Sequence, residues 1–113
     1  PVGARGLMQI MPETAMWIAE QQKIEDFEVE DLHKPEVNIR LGTWYIANIT
    51  QEYQEVPLII AAYNAGRGQV KNWIKEGVWD GDPEQIENIP FPETRQYVKS
   101  VLKNYEAYKA IYL

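Results

Sequence analysis

The chain has 113 residues and 13.1 kDa, a size for one domain, and 45% hydrophobic with 12% aromatic residues supply material for a core. Eleven Lys and Arg against 17 Asp and Glu leave a net charge of −6, which excludes the basic stripe that nucleic-acid or anionic-membrane binding needs. Without Cys, and with His33 and Ser100 each alone of its type, thiol chemistry, disulfides and thiolate zinc sites are excluded.

Residues 3–11, GARGLMQIM, open with glycines and an apolar run, and read as a loop feeding an extended segment. Pro12 suits a first helical turn, Glu13 suits its positive end, and Ala15, Ile18 and Ala19 share a face with Trp17 beside it. The spacing predicts a helix to about Gln22. Residues 25–34 are acidic and without a helical stripe, so a loop with at most one turn is expected, carrying His33 at the surface. Pro35 restarts a helix to about Tyr53, with Val37, Leu41, Trp44, Tyr45 and Asn48 on its apolar face.

Pro57 begins a segment apolar nearly all round, LIIAAYNA, which predicts a central buried helix ending at Gly66. A short helix follows from Gly68 to Glu76, carrying Val70, Trp73 and Ile74, and Gly77 stops it. Residues 78–92 form a Gly/Pro-punctuated loop in which Asp82 before Pro83 caps one turn. The last helix spans about Glu93 to Ala110. Its stripe of Tyr97, Val101, Tyr105, Tyr108 and Tyr112 reads as core, with Val98 and Leu102 beside it. Ser100 falls inside this helix, not on the sharp exposed turn that a serine nucleophile needs. Trp17, Trp44 and Trp73 are expected in the core. Trp79 lies in a loop, where packing competes with stacking on a sugar. Asp80 and Asp82 around Gly81 read as turn and cap residues, because the calcium-loop pattern is absent.

Three segments are unusual as plain packing. In Gly6-Leu7-Met8-Gln9-Ile10-Met11-Pro12 an amide interrupts an apolar run. Gln9 reads either as a solvent-facing strand residue or as an amide presented to a polar ligand. In Ala61-Ala62-Tyr63-Asn64-Ala65-Gly66 small residues permit close approach, and a hydroxyl and an amide stand at a helix end. Tyr63 reads as core or as a ligand contact, and Asn64 as a carbonyl cap or a ligand contact. In Ile89-Pro90-Phe91-Pro92-Glu93-Thr94-Arg95-Gln96-Tyr97-Val98 prolines stiffen a helix entry, Glu93 sits at its start, and Arg95 is expected to pair with a carboxylate.

Taken together, GLMQIMP-x-TA, AAYNAG and IPFPETR-x-YV resemble, in order and spacing, the lytic transglycosylase domain of the soluble type. LHKPEVNIRLGTWYI is similar to that family's stretch between the first two motifs, and the resemblance runs from about Gly3 to Tyr105. It implies a mainly α, lysozyme-like α+β fold with at most a small sheet remnant near the N-terminus. It also implies cleavage of the β-1,4 bond between N-acetylmuramic acid and N-acetylglucosamine in peptidoglycan. The muramic acid 6-hydroxyl attacks its own C1, leaving a 1,6-anhydro product. One glutamic acid of raised pKa donates and then recovers the proton, and the internal nucleophile replaces a second carboxylate.

In the family that glutamate belongs to a Glu-Ser pair upstream of GLMQ. Glu13 follows GLMQIMP and does not match it. The chain is therefore expected to be a single domain cut after its catalytic helix, with no catalytic residue of its own and no activity alone. Matched by motif, Gln9 would hydrogen-bond sugar substituents and Met11 would give an apolar contact. Tyr63 would reach toward the acid and the muramic acid side, with Asn64 in support. Glu93 would contact substrate, and Tyr97 would pack close by. The resemblance implies no cofactor and no metal, glycan strands of peptidoglycan as partner, and the cell envelope as the location. Two alternatives stand beside it: a binding module that holds glycan without cutting it, and a hydrolysing muramidase of the lysozyme type.

Overall fold

Proline at or next to the first helical position starts most of the elements. It opens α1 (Pro12–Gln21), α2 (Pro35–Thr50) and α5 (Pro92–Tyr112), and it is the second residue of α3 (Val56–Ala65). Its fixed φ suits the first turn, and the N–H it lacks would be unbonded there anyway. With α4 (Arg67–Lys75) and 3₁₀ helices at Val29–His33 and Pro83–Asn88, these complete the described chain, residue 4 and residues 8–112 of a computed structural model. The fold is mainly α, as expected. The extended segment expected over residues 3–11 falls partly outside the described residues. In its described part Met8 and Gln9 form a turn, and Ile10 makes a single bridge. The chain divides into two compact units, Pro1–Asn48 and Ile49–Leu113.

In the first unit α1 buries Ala15, Ile18 and Ala19, the face that the sequence spacing picks out. The helix closes with paired bonds: the Lys23 N–H donates to the Glu20 carbonyl at 3.1 Å and the Ile24 N–H to the Ala19 carbonyl at 2.9 Å. This closure normally employs glycine, yet Lys23 occupies it at φ +55°. Lys23→Gly is expected to add about 0.5–1 kcal/mol of stability in urea melts, the left-handed penalty exceeding glycine's extra chain entropy. A loss of stability would mean that contacts of the Lys23 stem outweigh the backbone term.

The acidic stretch after α1 is a 3₁₀ helix with a reciprocal cap, in which the Glu28 N–H donates to Asp31 Oδ2 at 3.1 Å. That bond, together with Lys34 at 3.3 Å, holds the half-buried Asp31 carboxyl below its ordinary pKa. His33 ends this helix and is exposed, as expected.

The buried face of α2 is Asn38, Leu41, Gly42, Tyr45 and Ile49, while Val37, Trp44 and Asn48 are half-buried. The stripe is thus turned by about one residue from the one expected. A fully buried asparagine lies within it, tolerated because its amide is bonded at both ends.

In the second unit α3 lies against both α4 and α5 and buries Leu58, Ile60, Ala61 and Ala62. Trp73 of α4 is buried and meets the Phe91 ring edge-on, with centroids 5.3 Å apart. Asp80 and Asp82 take the turn and cap roles expected of them. Asp80 Oδ1 accepts the Asp82 N–H, and Asp82 Oδ1 accepts the Glu84 N–H at 2.8 Å.

The expectations for Arg95 and for Trp17 need correction, and of the alternatives open for Trp79 the structure takes packing. Arg95 pairs with a carbonyl, not a carboxylate: its Nε and Nη2 both donate to Ile89 O, at 3.2 and 2.8 Å. The loop residue Trp79 is 2% exposed, whereas helical Trp17 is 39% exposed. Trp79 is drawn inward because its backbone N–H donates to the Trp73 carbonyl and its Nε1 to the Asp82 carbonyl at 3.0 Å, so the indole is buried without an orphaned donor. Trp17 instead lies over Trp44 and Tyr45, at centroid distances of 5.8 and 6.3 Å.

Nor is the tyrosine stripe of α5 core along its length. Thr94 and Val98 are buried and Tyr97 is half-buried, but every residue from Lys103 to Ile111 whose burial is described is exposed. The contacts of α5 come from α3 and the Pro83–Asn88 turn, and burial is confined to its first turns. Lys99 pairs with Glu87 there, and that bond lowers the Glu87 pKa.

Candidate functional site

Gln9, Met11, Tyr63, Asn64 and Glu93 sit at helix ends and turns, where side chains are presented instead of being consumed by a packed helix face. In the first unit Gln9 is exposed and adopts φ +50°, a left-handed conformation that residues other than Gly, Asn and Asp seldom take. Ile10 behind it is buried, and Met11 is half-buried in extended conformation before Pro12. The strand position expected for Gln9 is corrected to a turn. An open groove of about 540 Å³ lies along α1, between Glu13, Trp17, Glu20 and Phe27, and neither Gln9 nor Met11 lines it.

In the second unit the AAYNAG motif forms the end of α3. Gly66 has φ +102° and ψ 147°, a region open essentially to glycine alone. A Cβ there would meet no atom within 4 Å, so the requirement is one of backbone and not of space. The same glycine begins α4, its N–H donating to the Ala62 carbonyl at 2.9 Å and its carbonyl accepting from Val70 N–H at 3.3 Å. Tyr63 and Asn64 therefore stand half-buried in the last turn before an abrupt change of direction.

Asn64 does not cap a carbonyl. Its Oδ1 accepts a hydrogen bond of 2.7 Å from the hydroxyl of Thr94, which is buried in the first turn of α5. This bond joins the second and third motifs across 30 residues of chain. Glu93 precedes Thr94 and is exposed in that same first turn, at the positive end of the helix dipole. Tyr97 is one turn further on, half-buried, and its burial pushes the phenol pKa up, so it stays a neutral hydroxyl.

The first unit thus holds Gln9 and Met11, and the second brings Asn64 together with the turn that carries Glu93. Thr94 escaped the sequence reading, although a hydroxyl beside a motif glutamate was the available signal. Among the described residues no group of His, Asp and Glu is arranged to hold a metal ion. No helix is long and apolar enough among them to cross a membrane.

Two family models match the chain, and their border falls inside the second unit, not between the two units. Residues 1–86 match the model of the Transglycosylase SLT domain, and residues 88–113 match that of the Soluble lytic transglycosylase helical domain. The soluble lytic murein transglycosylase of Salmonella typhimurium is 44% identical over 111 residues, covering 96% of this chain and 17% of that protein. The Escherichia coli K12 protein of the same name is 43% identical over the same length. Among solved structures, the 70 kDa soluble lytic transglycosylase of Escherichia coli superposes with a TM-score of 0.77 at 43% identity, over 90% of this chain and 17% of that one. An inactive mutant of Slt from Pseudomonas aeruginosa gives 0.72 at 42% identity, over 89% of this chain and 17% of that one. A complex of the 70 kDa soluble lytic transglycosylase with bulgecin A also superposes with a TM-score of 0.77 at 43% identity, over 90% of this chain and 17% of that one. The chain spans about one-sixth of the length of these relatives.

Proposed function

The chain belongs to the Transglycosylase SLT domain family, and on that premise we propose that it supplies the sugar-binding walls of a peptidoglycan lytic transglycosylase. The reaction is cleavage of the MurNAc-β-1,4-GlcNAc bond with formation of 1,6-anhydroMurNAc, carried out in the cell envelope. One observation carries this reading: the second motif is hydrogen-bonded to the third through Asn64 and Thr94, which brings the end of α3 to the helix start that carries Glu93.

The residue roles follow from chemistry. Gln9 offers an amide that can both donate to and accept from hydroxyls and acetamides. Met11 gives a polarisable apolar contact. Tyr63 donates a phenolic hydrogen bond toward the reacting centre, and Asn64 holds the end of its helix. Glu93 accepts hydrogen bonds from sugar hydroxyls. A general acid for glycoside cleavage needs a carboxyl whose pKa is raised by burial. Glu13 and Glu93 are exposed, and Asp31 and Glu87 are shifted downward. The motif resemblance assigns the proton transfer to a glutamate of a Glu-Ser pair that precedes GLMQ in the family, and none of these four carboxyls matches it. The negative charge offers no attraction to an anionic wall, so affinity rests on shape and hydrogen bonds.

A chimera tests this. In the Escherichia coli relative, the matched stretch is replaced by this chain, and the product is incubated with isolated sacculi. Mass spectrometry is expected to show 1,6-anhydro muropeptides from the chimera and none from the chain alone. Products with ordinary reducing ends would make the domain a hydrolase. Retained glycan binding with intact sacculi would make it a binding module.

A further inference from the structure

Asn38 is a polar residue with no exposed surface, set in the apolar face of α2. Its Oδ1 accepts the Met8 backbone N–H at 2.7 Å, and its Nδ2 donates to the Leu32 carbonyl at 3.1 Å. One amide therefore ties α2, the 3₁₀ helix and the turn before α1 together, reaching 30 residues back along the chain to do so. Four residues later, on the same face, stands the buried Gly42. A Cβ there would lie 2.7 Å from Met8 Cγ and 2.8 Å from Met8 Cβ and Cε. Met8 Cβ is anchored to its own backbone, so a side chain at position 42 cannot be accommodated by swinging the methionine aside. Asn38 thus fixes Met8 by its backbone, and Gly42 leaves the space its side chain fills.

The residue after Met8 is Gln9, exposed and held at φ +50°. Such a conformation persists where the flanking structure over-determines it. On one side the flank is Met8, gripped twice. On the other it is the buried Ile10. We infer that Asn38, together with Gly42, is a positioning residue that aims the Gln9 side chain at the acetamide and hydroxyl groups of a bound saccharide. The inference rests on the sugar-binding role proposed for Gln9.

The test uses the chain itself and the variants Asn38→Ala, Gln9→Ala, their double mutant, and Gly42→Ala. Amide hydrogen exchange is read at Met8, and binding of a GlcNAc–MurNAc tetrasaccharide is read by NMR titration. Asn38→Ala is expected to speed exchange at Met8 at least tenfold while the α2 amides stay protected, and to weaken tetrasaccharide binding at least fivefold. In the Gln9→Ala background the same substitution is expected to change affinity less than twofold, because Asn38 acts through Gln9. A purely structural role would instead make the two losses multiply, and that result overturns the inference. So does an unchanged Met8 exchange rate. If Asn38→Ala fails to fold, Gly42→Ala disturbs Met8 from its other side and must show the same dependence on Gln9. If the wild-type chain binds no tetrasaccharide, the role of Gln9 in sugar binding falls, and Met8 exchange alone decides whether Asn38 fixes the turn.

Discussion

Tyr63→Phe in the chimera is expected to lower kcat for sacculus digestion about a hundredfold while leaving the thermal midpoint nearly unchanged. Losing a preorganised donor at a developing charge costs about 2.7–4 kcal/mol. The lower end applies because Tyr63 is not the proton donor. Its position is rigid for identifiable reasons: Ala61 and Ala62 before it are fully buried, Asn64 after it is bonded to Thr94, and Gly66 ends the helix in a backbone conformation that glycine alone takes readily. Phenylalanine preserves the ring and its packing and removes only the hydroxyl. An unchanged kcat would reduce Tyr63 to a packing residue. A loss confined to KM would make it a ground-state contact with the sugar.

Trp79→Ala is expected to destabilise the chain by about 3–5 kcal/mol, the cost typical of deleting a large buried aromatic. That is a large fraction of the roughly 5–15 kcal/mol a domain commands, so the variant should melt far below wild type or fail to fold. Trp79 is 2% exposed, and its indole N–H is paired with the Asp82 carbonyl. The substitution therefore opens a cavity and leaves a loop carbonyl without its donor. Trp79→Phe separates the two effects. It keeps most of the apolar volume and loses the hydrogen bond, and should cost about 1 kcal/mol for the bond plus a smaller cavity term. Denaturant melts followed by circular dichroism measure both. If Trp79→Ala retains wild-type stability and instead loses glycan binding, Trp79 is a sugar platform and its buried setting is misleading.

Trp17 and Trp79 differ in how far a short stretch of sequence determines their burial. The helical periodicity around Trp17 was sound, since Ala15, Ile18 and Ala19 are all buried. A ring one position off that face can still remain 39% exposed over its aromatic neighbours. Trp79 has no periodicity to read. Its burial depends on the Trp73 carbonyl of α4 and the Asp82 carbonyl of the turn.

Asn38 is the same lesson for a polar side chain. The sequence around Asn38 gives no sign of the Leu32 carbonyl and the Met8 N–H that satisfy it in the core. The candidate site divides likewise. The family resemblance proposes Gln9, Met11, Tyr63, Asn64, Glu93 and Tyr97, whereas the left-handed backbone at Gln9 and the Asn64–Thr94 bond are tertiary facts.

Helix borders, the helical class and the family were readable from residue order alone. They depend on short-range causes: a proline's fixed φ, a glycine's access to positive φ, and motif residues close in sequence. Which aromatic is covered, which amide is buried and how far α5 stays in contact were decided by folding. Each depends on a hydrogen-bond or packing partner supplied from elsewhere in the chain, and a single stretch of sequence carries no trace of that partner.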